Sequence, residues 1–434
     1  MRKVTIGIIG FGTIGAGVAS ILLREKKLLQ NRTGIQFVLK RIADLDIRSN
    51  RGITVPKGML TKDSAAVIAD SEIDIIVELI GGKTTAKKIV LHALAAGKSV
   101  VTANKALLAE KGSELFAAAK KAGCFIRYEA SVAGGIPIIK SVSEALVANR
   151  FTRIVGILNG TCNYILWNMT KNNWDYNTAL SRAQQLGFAE SDPTLDVNGS
   201  DAAHKIALLA GLAFNTYIPF GTVYREGIHA IQQIDIAYGK KLGYELKLLA
   251  IAHAGKKGIE CRVHPTFICA HHALANVANE YNAIYLEGDK VGAQMMIGKG
   301  AGSLPTAGAV VADIVDIAKE LQRTNNASYT VQTVPLLKSV ILPPDRFCSR
   351  YYFRIMTLDK PGVLARIAGL LGKYNISIAS VIQKEIKQAT VPIVIITHAA
   401  EERNVQKAIT AINALSEVRR APVIYRIEDI SNLY

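Results

Sequence analysis

Residues 187–209, GFAESDPTLDVNGSDAAHKIALL, set four acidic side chains and a lysine around the start of an apolar helix. Glu190, Asp192 and Asp196 fall in a loop punctuated by Pro and Gly, and Asp201 and Lys205 stand four apart. That spacing puts the last two on one helical face. The stretch DAAHKIALLAGL predicts the helix, with Ser200 or Asn198 as its cap. A surface ion pair accounts for Asp201 and Lys205 taken alone. It does not account for the acidic loop feeding the same helix end, and loops that deliver charge to a helix start are where sites are built. A lysine among carboxylates can move protons at neutral pH if burial or a second cation lowers its pKa. His204 adjoins Lys205 but points about 100° away around the helix, and is read as packing.

A second constellation lies at the N-terminus. Gly10, Phe11, Gly12, Thr13, Ile14 and Gly15 spell G-x-G-x-x-G after a β-branched run over residues 3–9 and before an apolar-periodic helix, AGVASILLREKKLL. The motif is weak alone and gains force from that strand–turn–helix context. Its glycines permit a tight turn and close backbone approach, and the helix start attracts a pyrophosphate. Asp44 ends the next predicted strand, IQFVLKRIAD, where a carboxylate would bond the ribose hydroxyls of NAD. Arg41, Arg48 and Arg51 lie nearby and could instead accept the 2′-phosphate of NADP, so both cofactors stay open. VTANKALL puts Lys105 where a strand ends and a helix begins, at the sheet edge that holds ligands. The helix dipole disfavours a lysine there, which points to a ligand; a solvated lysine is the alternative.

Elements that alternate strand and helix must position these groups. Residues 1–130 predict a doubly wound, Rossmann-type α/β domain that binds a dinucleotide. Over 131–325 long helices mix with strands such as RIVGIL and ECRVHPTFI, an α+β unit. A polar stretch over 326–349 reads as a linker, and 350–434 has the βαββαβ order of a ferredoxin-like domain. The net charge is +17, but the basic residues are scattered without long runs or interleaved aromatics. That balance fits solubility and anionic small molecules better than nucleic acid. Five cysteines show no CxxC pair or metal spacing, and no apolar stretch approaches a membrane span. A reducing, cytoplasmic setting is expected.

The blocks GFGTIGAGV, VTANKALLA, EASVAGGIPII, GILNGTCNYIL, GFAESDPTLDVNGSDAAHK and GAGSLPTAGAVVAD together cover nearly the whole chain. They resemble monofunctional homoserine dehydrogenases carrying a C-terminal ACT domain. The resemblance implies reversible, NAD- or NADP-dependent reduction of L-aspartate 4-semialdehyde to L-homoserine, in threonine and methionine biosynthesis. It makes Lys205 the catalytic acid/base and has Lys105 touch both cofactor and the reacting end of the substrate. Glu190 and Asp201 become substrate-binding carboxylates, and Gly187 and Gly302 backbone positions against the nicotinamide half. It also matches Glu129 and the carbonyls of Val132, Gly134 and Ile136 to a monovalent-cation site for Na⁺ or K⁺. Hard oxygens on a glycine-rich turn suit such an ion; the alternative is a structural turn with Glu129 bonded locally.

Cys162 stands where the family often has Thr, and it is the candidate nucleophile if the chain is instead an acylating semialdehyde dehydrogenase. A nucleotide-sensing DNA-binding regulator is the non-enzymatic alternative. LDKPGVLARIAGLLGKYNISIASV resembles the opening of an ACT domain, with Gly362 at a helix start and Asn375 and Ile376 opening the next strand. The resemblance implies an amino-acid effector, threonine first, and a homodimer or homotetramer; a dimerisation module without a ligand is the alternative. A chain truncated near Asp345 is then expected to keep catalysis and lose threonine inhibition.

Overall fold

The structure, a computed structural model, describes residues 3–323, 339–384 and 389–430. Strand β1 (Lys3–Ile9) is buried at every position but its first, as a run apolar on both faces requires when helices cover both sides of a sheet. It pairs in parallel with β2 (Gln36–Ala43) on one side and β4 (Ile75–Glu78) on the other. With β3 (Leu60–Thr61), β5 (Ser99–Thr102) and β6 (Ile126–Arg127) the order is β3-β2-β1-β4-β5-β6. The order reverses beside β1, and the glycine turn that follows β1 therefore opens on the crevice where such sheets bind nucleotides.

Two features depart from the expected boundaries. Helix Ser303–Arg323, expected in the second unit, packs Ala307, Val310, Ile314 and Ile317 into the same core as Ile6, Ile8 and Val18. Its apolar stripe is fully buried there, so the cofactor domain is completed by chain that returns after the catalytic unit. The expected strand CFIRYEA shrinks to β6 and a 3₁₀ turn, Glu129–Ser131, because Glu129 accepts the N–H groups of Ile139 and Lys140 and bends the chain.

The remaining strands are β7 (Phe151–Ile157), β8 (Tyr224–Arg225), β9 (Tyr244–Gly255), β10 (Gly258–Cys269), β11 (Tyr281–Gly288) and β12 (Gly292–Lys299), followed by β13 (Cys348–Leu358), β14 (Ile378–Gln383), β15 (Thr390–Thr397), β16 (Ala400–Glu401) and β17 (Val423–Glu428). They form one sheet whose main path runs β12-β11-β7-β9-β10-β17-β13-β15-β14. The ferredoxin-like unit is thus joined edge to edge with the catalytic unit. Strand β17 runs parallel to β10, Thr266 opposite Arg426 through Ile268 opposite Glu428. Of the expected linker, residues 326–338 lie outside the described residues, and Ile341 bridges Ile259 beside β10. No described helix is long and apolar enough to cross a membrane.

Candidate active site

Helix Ser200–Ala213 begins after Gly199, which adopts a left-handed φ of 82°. Gly199 is the cap position and carries no side chain, so neither Ser200, the first helical residue, nor Asn198 caps the helix; the Asn198 Oδ1 accepts the Ser200 N–H at 2.9 Å and tightens the turn that leads in. The helix buries its whole first half, so Asp201 and Lys205 are only 7% and 8% exposed. A surface pair is thereby ruled out. Lys205 Nζ donates to Asp201 Oδ2 at 2.7 Å and to the Leu158 carbonyl, at the end of β7, at 2.6 Å. Lys105, the first residue of helix Lys105–Ala122 in the cofactor domain, reaches the other oxygen of Asp201 at 2.6 Å. One carboxylate therefore ties two lysines together across the seam between two domains.

Their environments separate the two lysines. Burial is the largest influence on Lys205 and pushes its pKa down, with Lys105 adding to it and Asp201 opposing. Asp201 is the largest influence on Lys105, whose side chain is 39% exposed, and it holds that pKa up. Burial would raise the Asp201 carboxyl, but Lys205 and Lys105 outweigh it and keep it well below the usual carboxylate range. Glu190 is exposed; its carboxylate makes no hydrogen bond among the described residues, yet its charge still acts on Lys105. His204 stacks on Phe220, ring centroids 3.9 Å apart, and lies 3.4 Å from Glu110, in keeping with packing.

Three neighbours carry more than the sequence reading assigned them. Asn159, between β7 and helix Gly160–Asn172, donates from one amide nitrogen to Asp196 at 2.7 Å and Asp201 at 2.8 Å. Thr161 donates to the Phe188 carbonyl at 2.6 Å, and Asp196 is half-buried beside them. Asparagine ahead of a helix is a capping signal, and that signal was available in "LNGTCNYIL". Cys162 is completely buried, with its Sγ 3.2 Å from the Asp196 carbonyl oxygen. Burial first, then Asp196 and Asp201, push its thiol far up, the opposite of what a nucleophilic cysteine needs. That finding removes the basis of the acylating alternative.

At the glycine turn, Gly10 has φ 108°, and a Cβ there would lie 2.5 Å from the Leu79 carbonyl carbon. A Cβ on Gly15 would strike the Gly10 carbonyl, so the turn closes only with glycine at both points. Phe11 is buried in the domain core, Ile14 packs partly against it, and Thr13 is exposed at the helix start. The side over Gly12 is open, a Cβ there meeting nothing within 4 Å. These features fit a dinucleotide pyrophosphate. Asp44 accepts the N–H of Phe11 with one oxygen and that of Asp46, at 2.8 Å, with the other, which locks the turn to the end of β2. Arg41 is held by the Gly58 carbonyl and Arg51 by Asp46, while Arg48 is exposed. Ser303, next to Gly302, donates to the Thr13 carbonyl at 2.9 Å, so Gly302 sits beside the glycine turn. Gly187, with φ 74°, follows helix Tyr176–Gln185 and leads into the acidic loop.

Glu129 is buried and accepts the N–H groups of Ile139 and Lys140, each at 2.8 Å, which is the local bonding of the structural alternative. The Ile136 carbonyl accepts from Ile138 at 2.8 Å, whereas those of Val132 and Gly134 accept no N–H among the described residues. Two carbonyls and the spare lone pairs of a buried carboxylate are an oxygen set that suits an alkali cation. No group of three or more His, Cys, Asp or Glu side chains able to hold a metal occurs among the described residues.

Comparison with known proteins matches residues 10–129 to the profile "Homoserine dehydrogenase, NAD binding domain", 137–315 to "Homoserine dehydrogenase" and 351–417 to "ACT domain". A homoserine dehydrogenase of Neisseria gonorrhoeae is 43% identical over 99% of this chain and 100% of its own length. The crystal structure of a homoserine dehydrogenase from Thiobacillus denitrificans superposes with a TM-score of 0.94 at 41% identity, covering 99% of both chains. A hyperthermophilic archaeal homoserine dehydrogenase mutant in complex with NADPH matches 74% of this chain and 98% of its own, with a TM-score of 0.62 at 25% identity.

Proposed function

The chain belongs to the homoserine dehydrogenases, NAD(P)-dependent oxidoreductases, and from that premise we propose that it interconverts L-aspartate 4-semialdehyde and L-homoserine with Lys205 as the proton donor. The observation that carries this reading is the buried Asp201 carboxylate shared by Lys205, itself buried, and the partly exposed Lys105 at the seam between the cofactor and catalytic units. The hydride would come from a nicotinamide cofactor, with Gly187 and Gly302 beside its reactive half and the Gly10–Gly15 turn holding its pyrophosphate. Asp44 holds the turn that receives it. Lys205, its pKa lowered by burial, gives its proton to the oxygen that forms at the aldehyde carbon. Lys105, its charge held by Asp201, stays protonated and stabilises that oxygen. Glu190 and Asp201 supply negative charge for the substrate ammonium.

The finer assignments extend the same reading. NADP and NAD both fit, since Asp44 is engaged by the backbone and Arg48 is exposed. Na⁺ or K⁺ would sit at Glu129, Val132, Gly134 and Ile136, where the interdomain turn would be held. The ACT unit over 350–434 would bind threonine and regulate the enzyme, which would work as a cytoplasmic homodimer or homotetramer. The decisive test is homoserine oxidation with NAD and NADP side by side, run on the wild type and on Lys205→Ala. The variant is expected to keep cofactor affinity and lose about 10²-fold or more in kcat, the scale of a lost general acid/base. Near-normal kcat in both directions would remove Lys205 from the mechanism. Lys105→Ala should lower kcat by a smaller factor, because charge stabilisation is lost and the proton source remains.

A further inference from the structure

Two carboxylates, Asp196 and Asp201, approach each other behind Lys205, and like charges in a partly buried site resist ionising together. Between them stands the side chain of Asn159, 5% exposed. Its Nδ2 spends one N–H on Asp196 Oδ1, at 2.7 Å, and the other on Asp201 Oδ2, at 2.8 Å. Its Oδ1 accepts the Cys162 N–H at 2.8 Å, so the amide is pinned from behind and can face the acids only with its donors. We propose that Asn159 is a positioning residue of this site, an amide clamp that holds Asp196 and Asp201 in register and so fixes the acceptor that orients Lys205 and Lys105.

The inference rests on the reading of Lys205 and Asp201 given above. The titratable groups facing the pair are Lys205 on the helix of Asp201, Lys105 from the cofactor domain and Cys162 from the helix that Asn159 caps. His204 and Glu190 act more remotely, on or through Asp201 and Lys105. Burial, then Asp201, already push the Asp196 carboxyl up, and the Asn159 bond is the largest influence in the other direction. Without that bond Asp196 takes up a proton at higher pH, and Asp201 loses one of the three side chains that hold it.

Aspartate separates the clamp from the cap. Asn159→Asp still accepts the Cys162 N–H, because aspartate caps a helix as well as asparagine. It loses both donors and adds a third carboxylate. The expected result is a folded enzyme with a lowered thermal midpoint, since a third carboxylate joins the two acids, and kcat/KM lower by about 10²-fold, the scale of a small misplacement of reacting groups. The acidic limb of the pH–kcat/KM profile should move to higher pH. Unchanged kcat/KM and an unmoved acidic limb would overturn the clamp. If Asn159→Asp does not fold, Asn159→Ser, which also caps but is too short to bridge two carboxylates, is read by the same two measurements. Lys205→Ala in parallel keeps the failures apart. A dead Lys205→Ala beside a normal Asn159→Asp overturns the clamp alone. An active Lys205→Ala beside an impaired Asn159→Asp overturns the proton-donor reading on which the clamp rests.

Discussion

At the scale of single residues, what decides chemistry is which side chains are denied water. Asp201 and Lys205 were legible as a helical pair, because four-residue spacing is a property of the helix itself. Their burial was not, since it depends on β7, β9 and β10 packing over the helix, contacts between residues far apart in sequence. For the same reason spacing alone offered Lys105 only as a cation at a sheet edge, the family resemblance adding its place at the cofactor and substrate, and its bond to Asp201, 96 positions away, appears only in three dimensions. Cys162 shows the converse. Its place among the motifs suggested a nucleophile, and only its burial against Asp196 makes it inert. Cys162→Ser is therefore expected to retain homoserine oxidation within about threefold, with any loss confined to packing, since a buried thiol behaves as a small hydrophobe. Loss of turnover together with trapping of a thioester in the wild type would reverse that assignment.

At the scale of elements, periodicity recovered the parallel strands and the major helices, because each carries its own apolar pattern. It could not say which core a helix joins. Helix Ser303–Arg323 follows the catalytic unit in sequence and completes the cofactor domain in space. Its crossing with helix Thr13–Arg24 is set by Gly17, where a Cβ would lie 2.8 Å from Ser303 Oγ and 3.0 Å from Ala307 Cβ. A side chain there must push the helices apart at the point where Ser303 holds the carbonyl of Thr13. Gly17→Val should cost about 1–3 kcal/mol, the usual penalty for overpacking. It should also weaken cofactor binding more than it lowers kcat at saturating cofactor, because the glycine turn shifts and Lys205 does not. Urea unfolding and a cofactor titration measure the two effects, and a variant with wild-type stability would mean that the crossing is slack.

At the scale of the whole molecule, the sequence suggests three beads on a string, whereas the sheet runs without a break from the catalytic unit into the ACT unit. The reason lies in a short parallel pairing, β10 with β17, and in side chains no local pattern could match. Arg354 of β13 meets Asp235 at 2.6 Å, and Arg262 of β10 meets Glu428 of β17 at 3.0 Å. Arg426 reaches Glu402 within its own unit and Glu226 of the catalytic unit, at 2.8 and 3.0 Å. Glu226 in turn precedes the segment whose Ile228 N–H is bonded to the Val197 carbonyl, just ahead of the Asp201 helix. Tyr352, Tyr425 and Ile427 share one apolar core with Ile206 and Leu209 of that helix. Cutting the chain near Asp345 would therefore do more than remove a regulator. It would strip that core, open the edge of β10 and free Asp235 and Arg262 from the partners that justify their burial, where loss of one member of a buried pair alone costs about 3–5 kcal/mol. The truncated chain is expected to lose thermal stability and solubility along with any response to threonine. A soluble truncated enzyme with the full-length thermal midpoint and kcat would show instead that the catalytic unit folds without the strands that extend its sheet.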